Sequence, residues 1–208
     1  MKALQVRIHR TGGPEVLQMD DLDLADPGPG EVTLKQTAIG LNFQDIYTRS
    51  GAYPCPLPSG LGTEAAGVIV KLGPGVTEFQ VGDRACYAGG PALGAYASHR
   101  NYPAARLLKS PDFMSDEQLA AVMLKGMTVE YLMQRCYPVK AGQYVLMHAA
   151  AGGVGLLAGQ WGRHLGARMI GVAGGAEKVT LALQHGYEFC IDRTREDIAS
   201  QVRAITSG

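Results

Sequence analysis

Residues 148–158 read HAAAGGVGLLA, and Ala150-Ala151-Gly152-Gly153-Val154-Gly155 fits G-x-G-x-x-G with alanine in first place. The chemistry that such a spacing serves is anion binding by bare main chain. Gly152 removes a side chain where a diphosphate has to approach the backbone, and Gly155 lets the following helix pack closely on the preceding strand. The diphosphate would rest on the free N–H groups at the helix start, between Gly152 and Gly155 and including Gly153 and Val154. Ala150 departs from the pattern, at a place where a glycine only eases the turn. Standing alone, such a match is as often a glycine-rich packing contact. Here a strand-like run precedes it, a helical pattern follows, and a second apolar strand ends about 20 residues on, as a dinucleotide fingerprint requires.

What ends that second strand bears on the nucleotide. An NAD site places Asp or Glu there for the ribose 2′-hydroxyl. This chain has Ala173-Gly174-Gly175, with Lys178 and Arg193 nearby in sequence. Glu177 lies inside the next helix start, where a carboxylate favours the helix dipole. A doubly charged 2′-phosphate suits two cations better, so the residues favour NADPH over NADH, with Gly174 leaving room for the larger group. Either cation alone would more often be a solvated surface charge.

Other constellations fail. The chain has no G-x-S-x-G, H-E-x-x-H or Walker A sequence. The histidines (His9, His99, His148, His164 and His185) show no ligand spacing, and His148 reads as a satisfied residue at a strand end. Cys55, Cys86, Cys136 and Cys190 are scattered, which argues against structural zinc or disulfides and for a reducing cytoplasm. Lys plus Arg and Asp plus Glu both number 19, without like-charge blocks, so nucleic acid is a poor partner. No apolar run approaches the ~18 residues of a membrane span, and Arg7 and Arg10 interrupt any secretory core near the start.

The elements that must position these residues fall in two halves of the 208-residue chain. Up to about Leu108, short strands such as KALQVRI, EVTLKQTAIG and EAAGVIVKLG alternate with Gly/Pro turns, predicting an irregular β-barrel or sandwich. The proline-rich YPCPLPSGLG predicts an extended loop, because its prolines lack the ladder N–H. At Ser115 the period changes: Ser115 and Gln118 form a capping-box start to a long helix. Three β-α repeats follow from Gln143 onward, predicting an α/β domain with a parallel sheet. The expected boundary places residues 1–114 in one domain and 115–208 in the other. The 28 glycines, about twice the usual frequency of roughly 7%, imply many tight turns and close approaches.

The segments AIGLNFQDIYTRSGAYPCPLPSGLGTEAAGVI, VGDRACYA, GAYASH, MLKGMTVEYL and VLMHAAAGGVGLLAGQWGRHLGA together resemble the NADPH-dependent quinone oxidoreductases. These are the zinc-free, zeta-crystallin-like branch of the medium-chain dehydrogenase/reductases. The resemblance covers nearly the whole chain. It implies an N-terminal GroES-like β-barrel catalytic domain and a Rossmann (doubly wound parallel sheet) domain truncated at its C-terminus, with the cofactor in the cleft between them. It also implies Asn42 and Thr128 at the nicotinamide-ribose end, Tyr47 and Tyr53 along a quinone slot, and a homodimer for the full-length family member. Read without it, Tyr47 would be a core aromatic on a short helix and Tyr53 a loop residue packing on proline.

Zinc alcohol dehydrogenases carry Cys in the place of Asn42 and His in the place of Thr63, and neither Asn nor Thr is such a ligand. No metal is expected, and alcohol oxidation loses the Lewis acid that holds an alkoxide. A quinone is already electron-poor, so the cofactor carries the chemistry and the protein orients two flat rings. Departures from the family pattern are Arg193 where Tyr is common, Gly174 and Gly175 where small hydroxyl residues are common, and Lys125 where Gln is usual. The family's chain continues past Gly208, so a fragment or a truncated protein is expected, exposing an apolar sheet edge, binding NADPH weakly and prone to associate. Two alternatives stand beside quinone reduction: reduction of an activated C=C bond in an enal or enoyl thioester, and a relative that binds nucleotide without turnover.

Overall fold

The computed structural model describes residues 1–90 and 92–208, which form two compact units, Met1–Leu124 and Lys125–Gly208. In the first, β1 (Lys2–Ile8) pairs antiparallel with β2 (Leu17–Asp23). Next come β3 (Glu31–Ile39), a short helix α1 (Phe43–Ser50), β4 (Ser59–Gly60) and β5 (Glu64–Leu72). Then follow β6 (Arg84–Ala88), β7 (His99–Pro103) and β8 (Leu108–Lys109). The main sheet has the order β7-β3-β5-β6-β8 and is antiparallel throughout; a smaller sheet has the order β2-β1-β4. Its core is built from one face of the large sheet, with Val32, Leu34, Ile69, Tyr87 and Tyr102 all within 1% of complete burial. The proline-rich stretch is an irregular loop apart from Ser59 and Gly60, which pair with Ile8 and Arg7 of β1.

Helix α2 (Asp116–Glu130) begins in the first unit and crosses into the second. Its start is the reciprocal box predicted from sequence: Ser115 N–H donates to Gln118 Oε1 (2.9 Å) and Gln118 N–H donates to Ser115 Oγ (3.2 Å). Two orphan helix donors are thereby satisfied. The chain then runs on as a six-residue π-helical turn, Tyr131–Cys136, before the first strand of the second unit.

That unit alternates strictly: β9 (Tyr144–His148), α3 (Gly153–His164), β10 (Arg168–Ala173), α4 (Ala176–Gln184), β11 (Phe189–Asp192) and α5 (Ile198–Thr206). The three strands are parallel in the order β11-β10-β9, the arrangement a β-α repeat produces when each helix crosses to return the chain. Central β10 is buried along nearly its whole length, as a strand covered on both faces should be. Edge strand β9 leaves Tyr144 and Leu146 partly exposed. Among the described residues no helix is long and apolar enough to cross a membrane.

Replacing Ser115 with alanine removes one half of the α2 box and is expected to cost about 1 kcal/mol in chemical denaturation. An unchanged midpoint and slope would show that the box does not hold the helix start.

Candidate functional site

The turn between β9 and α3 carries the glycine pattern, and its close packing comes from missing side chains. A Cβ on Gly155 would lie 2.4 Å from the Ala149 carbonyl oxygen and 2.6 Å from that of Ala150. Both are backbone atoms that cannot step aside, so glycine is what lets α3 sit directly on the turn. Ala150, the departure from the pattern, is fully buried, and a Cβ on Gly171 of β10 would come within 2.8 Å of its methyl. The neighbouring strand thus supplies the glycine that the turn lacks. Ala149 takes a positive φ of 53° and its carbonyl accepts the Gly152 N–H at 2.8 Å, closing the turn. Non-glycine residues held in this region cluster where a structure must present a particular surface.

The first turn of α3 has no intrahelical acceptors for its N–H groups. Its N-cap is Gly152, which has no side chain with which to cap them. Gly152 and Gly153 are exposed, Val154 is half-buried and Gly155 is buried. Beside this turn lies a pocket of about 400 Å³ lined by His148, Ala149, Ala151, Gly152, Val172, Ala173, Gly174, Lys178 and Arg193. The Arg193 guanidinium lies over Gly174, where a built Cβ would meet it at 3.3 Å. Lys178 projects from the first turn of α4 into the same space. His148 ends β9 and is exposed on the pocket wall. Glu177 is exposed and stands outside the lining.

One acidic residue stands at the pocket's edge unforeseen, Asp192 at the end of β11. Its Oδ1 accepts three hydrogen bonds, from Gly175 N–H (2.9 Å), Thr194 N–H (3.0 Å) and Thr194 Oγ (2.7 Å). The Gly175 N–H, then the Thr194 hydroxyl and N–H, hold its carboxyl below the usual aspartate range. The oxygen is thus occupied by protein donors. Lys125, at the start of the second unit, lies with its aliphatic stem against Gly153.

In the first unit, Asn42 is the N-cap of α1. Its N–H donates to Asp45 Oδ2 (2.9 Å) and its Nδ2 donates to Glu64 Oε1 (2.8 Å). Glu64 is fully buried, and its other oxygen accepts the Leu124 N–H. Tyr96 Oη donates to the same Asp45 Oδ2 at 2.8 Å; burial, and then that carboxylate, raise its pKa. Tyr47 and Tyr53 are both partly exposed, their ring centroids 5.2 Å apart, and Phe43 packs edge-on against Tyr47 at 5.1 Å. The Tyr53 N–H donates to the Tyr47 carbonyl, fixing the pair. Thr63 is buried and its hydroxyl accepts from Gln44 Nε2 at 3.0 Å. Thr128 lies on α2 in the second unit, half-buried. Sequence reasoning missed Phe43, Glu64 and Asp192. Phe43 sits four residues before Tyr47 on one helix, a spacing that signals contact; the others meet their partners only through the sheets.

An antiparallel barrel-like unit followed by parallel β-α repeats with a bare-backbone turn is the domain order of a GroES-like unit joined to a Rossmann-type unit. The comparisons agree. Residues 28–112 match the alcohol dehydrogenase GroES-like domain and residues 153–208 match the zinc-binding dehydrogenase domain. The chain belongs to the quinone-oxidoreductase-like branch of the medium-chain dehydrogenase/reductase family. It is 49% identical over 207 residues to a quinone oxidoreductase of Pseudomonas aeruginosa, covering 99% of this chain and 63% of that protein. A 2-haloacrylate reductase of a Burkholderia species is 46% identical, covering 97% of this chain and 62% of the relative. The crystal structure of an Escherichia coli quinone oxidoreductase complexed with NADPH superposes with a TM-score of 0.96 at 48% identity, covering 99% of this chain and 63% of that one. The chain therefore spans a little under two thirds of these relatives' length. Among the described residues, no three His, Cys, Asp or Glu side chains gather as a metal set.

The Tyr96–Asp45 bond predicts a stability term with a definite sign. Because folding raises the Tyr96 pKa, the term is fully present below the unfolded tyrosine pKa of about 10 and lost as pH rises through the folded value. Tyr96→Phe is expected to cost about 1–2 kcal/mol at neutral pH, with a smaller difference from wild type in strong alkali. A difference that grows with alkalinity would contradict the assignment.

Proposed function

We propose that this chain carries out NADPH-dependent reduction of quinones without a metal. The observation that carries the reading is the pocket at the β9–α3 turn, where bare main chain adjoins Gly174, Lys178 and Arg193. Its chemistry fits NADPH on two counts. The glycines remove Cβ atoms where a diphosphate would approach, and the uncapped N–H groups of Gly153, Val154 and Gly155 donate to its oxygens. Lys178 and Arg193 hold the adenosine 2′-phosphate, with the Arg193 guanidinium offering paired donors over the glycine floor. No carboxylate follows β10 to bind a ribose diol, and Asp192 is already bonded to the protein.

When bound, NADPH supplies the hydride. The chain's residues bind and orient. Asn42 and Thr128 hold the nicotinamide-ribose end, and the Glu64 carboxylate turns the Asn42 amide so that Nδ2 faces inward. Tyr47 and Tyr53 present ring faces to a flat acceptor, and a tyrosine Oη donates a hydrogen bond to the acceptor oxygen that gains charge. In this reading residues 1–114 hold the acceptor and contribute Asn42 to the nicotinamide-ribose end, residues 115–208 hold the rest of the nucleotide, and the protein works in the cytoplasm as a homodimer. The similarity to the Burkholderia 2-haloacrylate reductase favours one second reading, reduction of an activated C=C bond such as a haloacrylate.

Two measurements test the proposal. The protein is expected to oxidise NADPH with 1,4-benzoquinone and 1,2-naphthoquinone, unaffected by EDTA. Turnover confined to 2-chloroacrylate or trans-2-hexenal would transfer the assignment to the C=C reading. Lys178→Ala should raise the NADPH KM about tenfold, equivalent to ~1.4 kcal/mol, and leave NADH unchanged. An equal loss for both coenzymes would remove Lys178 from the 2′-phosphate.

A further inference from the structure

We propose that Asp192 is a positioning residue that makes the pocket selective for a 2′-phosphorylated adenosine. The inference rests on the NADPH reading and extends it to a residue that touches no ligand. Two strand ends have to be locked together for the cationic wall to have a shape. The Asp192 carboxylate does this from β11: its Oδ1 takes the Gly175 N–H at the β10–α4 turn and both donors of Thr194 on its own loop. The adjacent peptide adds a second tie, with Arg193 N–H donating to the Ala173 carbonyl at 3.0 Å. Gly174 is thus held between two bonded neighbours, and Arg193 leaves a fixed strand end with its guanidinium 3.3–3.5 Å from where a Cβ on Gly174 would stand. Gly175 has a φ of +90°, a conformation that side-chain-bearing residues rarely adopt, and its N–H is directed to Asp192 in that conformation.

The placement is specific for another reason. Asp192 is only 8% exposed and an acid beside a phosphate site would ordinarily weaken it by repulsion. Three donors on one oxygen offset that charge and also withhold the oxygen from a ribose diol. The same carboxylate that would serve NADH in another position here builds the floor for NADPH. A charge role and a positioning role therefore predict opposite signs when the carboxylate is removed.

The test is calorimetric titration of the full 208-residue chain with adenosine 2′,5′-bisphosphate and with adenosine 5′-monophosphate, alongside amide hydrogen exchange of the free protein. Wild type is expected to bind the bisphosphate more tightly. Asp192→Ala should weaken the bisphosphate by about tenfold or more, change the monophosphate less than twofold, and unprotect the Gly175 and Thr194 amides. Asp192→Asn keeps an acceptor oxygen and should restore both the protection and the selectivity. Should the alanine variant fail to fold, Thr194→Val removes one donor and should reduce bisphosphate affinity by a smaller factor in the same direction. Tighter bisphosphate binding by Asp192→Ala would assign the residue a charge role and overturn the proposal, as would equal weakening of both ligands. If wild type shows no preference for the bisphosphate, the NADPH reading fails and this inference with it; a wild-type preference that survives in Asp192→Ala overturns this inference alone.

Discussion

The second unit depends on one close approach, the seating of α3 against the carbonyls of Ala149 and Ala150. At 2.4 and 2.6 Å from those oxygens there is no room for a methyl at position 155. Shifting the helix outward to admit one would move the N–H groups of its first turn, the donors that the exposed glycines present without a covering side chain. Gly171 makes the matching concession from β10, giving the Ala150 methyl its space. The turn thus trades side-chain packing for a polar backbone surface, and both glycines have to be present for that surface to face the pocket.

Electrostatics complete what sterics begin. A helix start attracts any anion, and by itself says nothing of which one. In the proposed function the selectivity is assigned to the other wall, where Lys178 and Arg193 line the pocket from elements that follow β10 and β11. Those cations gain value from the absence of a free acid: Glu177 lies outside the lining and Asp192 is engaged by three protein donors. In the first unit the polar network running Tyr96–Asp45–Asn42–Glu64 plays the comparable part. It holds the Asn42 amide in one orientation through the buried Glu64 carboxylate.

Much of this was legible in sequence, and the reasons differ from element to element. The β-α alternation announced itself because buried strands and amphipathic helices have different periods, and each element of the second unit lies within a few residues of its expected place. The Ser115–Gln118 box was readable because its partners are three residues apart. The glycine turn and both cations followed from spacing. The contacts that escaped are those between residues far apart in the chain: Ala150 with Gly171, Asn42 with Glu64, and Gly175 with Asp192, 17 residues on. Asp192 is not legible because the dinucleotide pattern places its acid after β10, whereas the fold brings one to the same corner from β11.

The most direct measurement is the response of backbone amide resonances to NADPH, recorded by two-dimensional nitrogen–proton NMR on the labelled chain. The account predicts that the Gly153, Val154 and Gly155 amides shift together with saturating coenzyme, as they would on donating to diphosphate oxygens. If those three signals stay in place while the coenzyme perturbs residues elsewhere, main-chain recognition at this turn is contradicted.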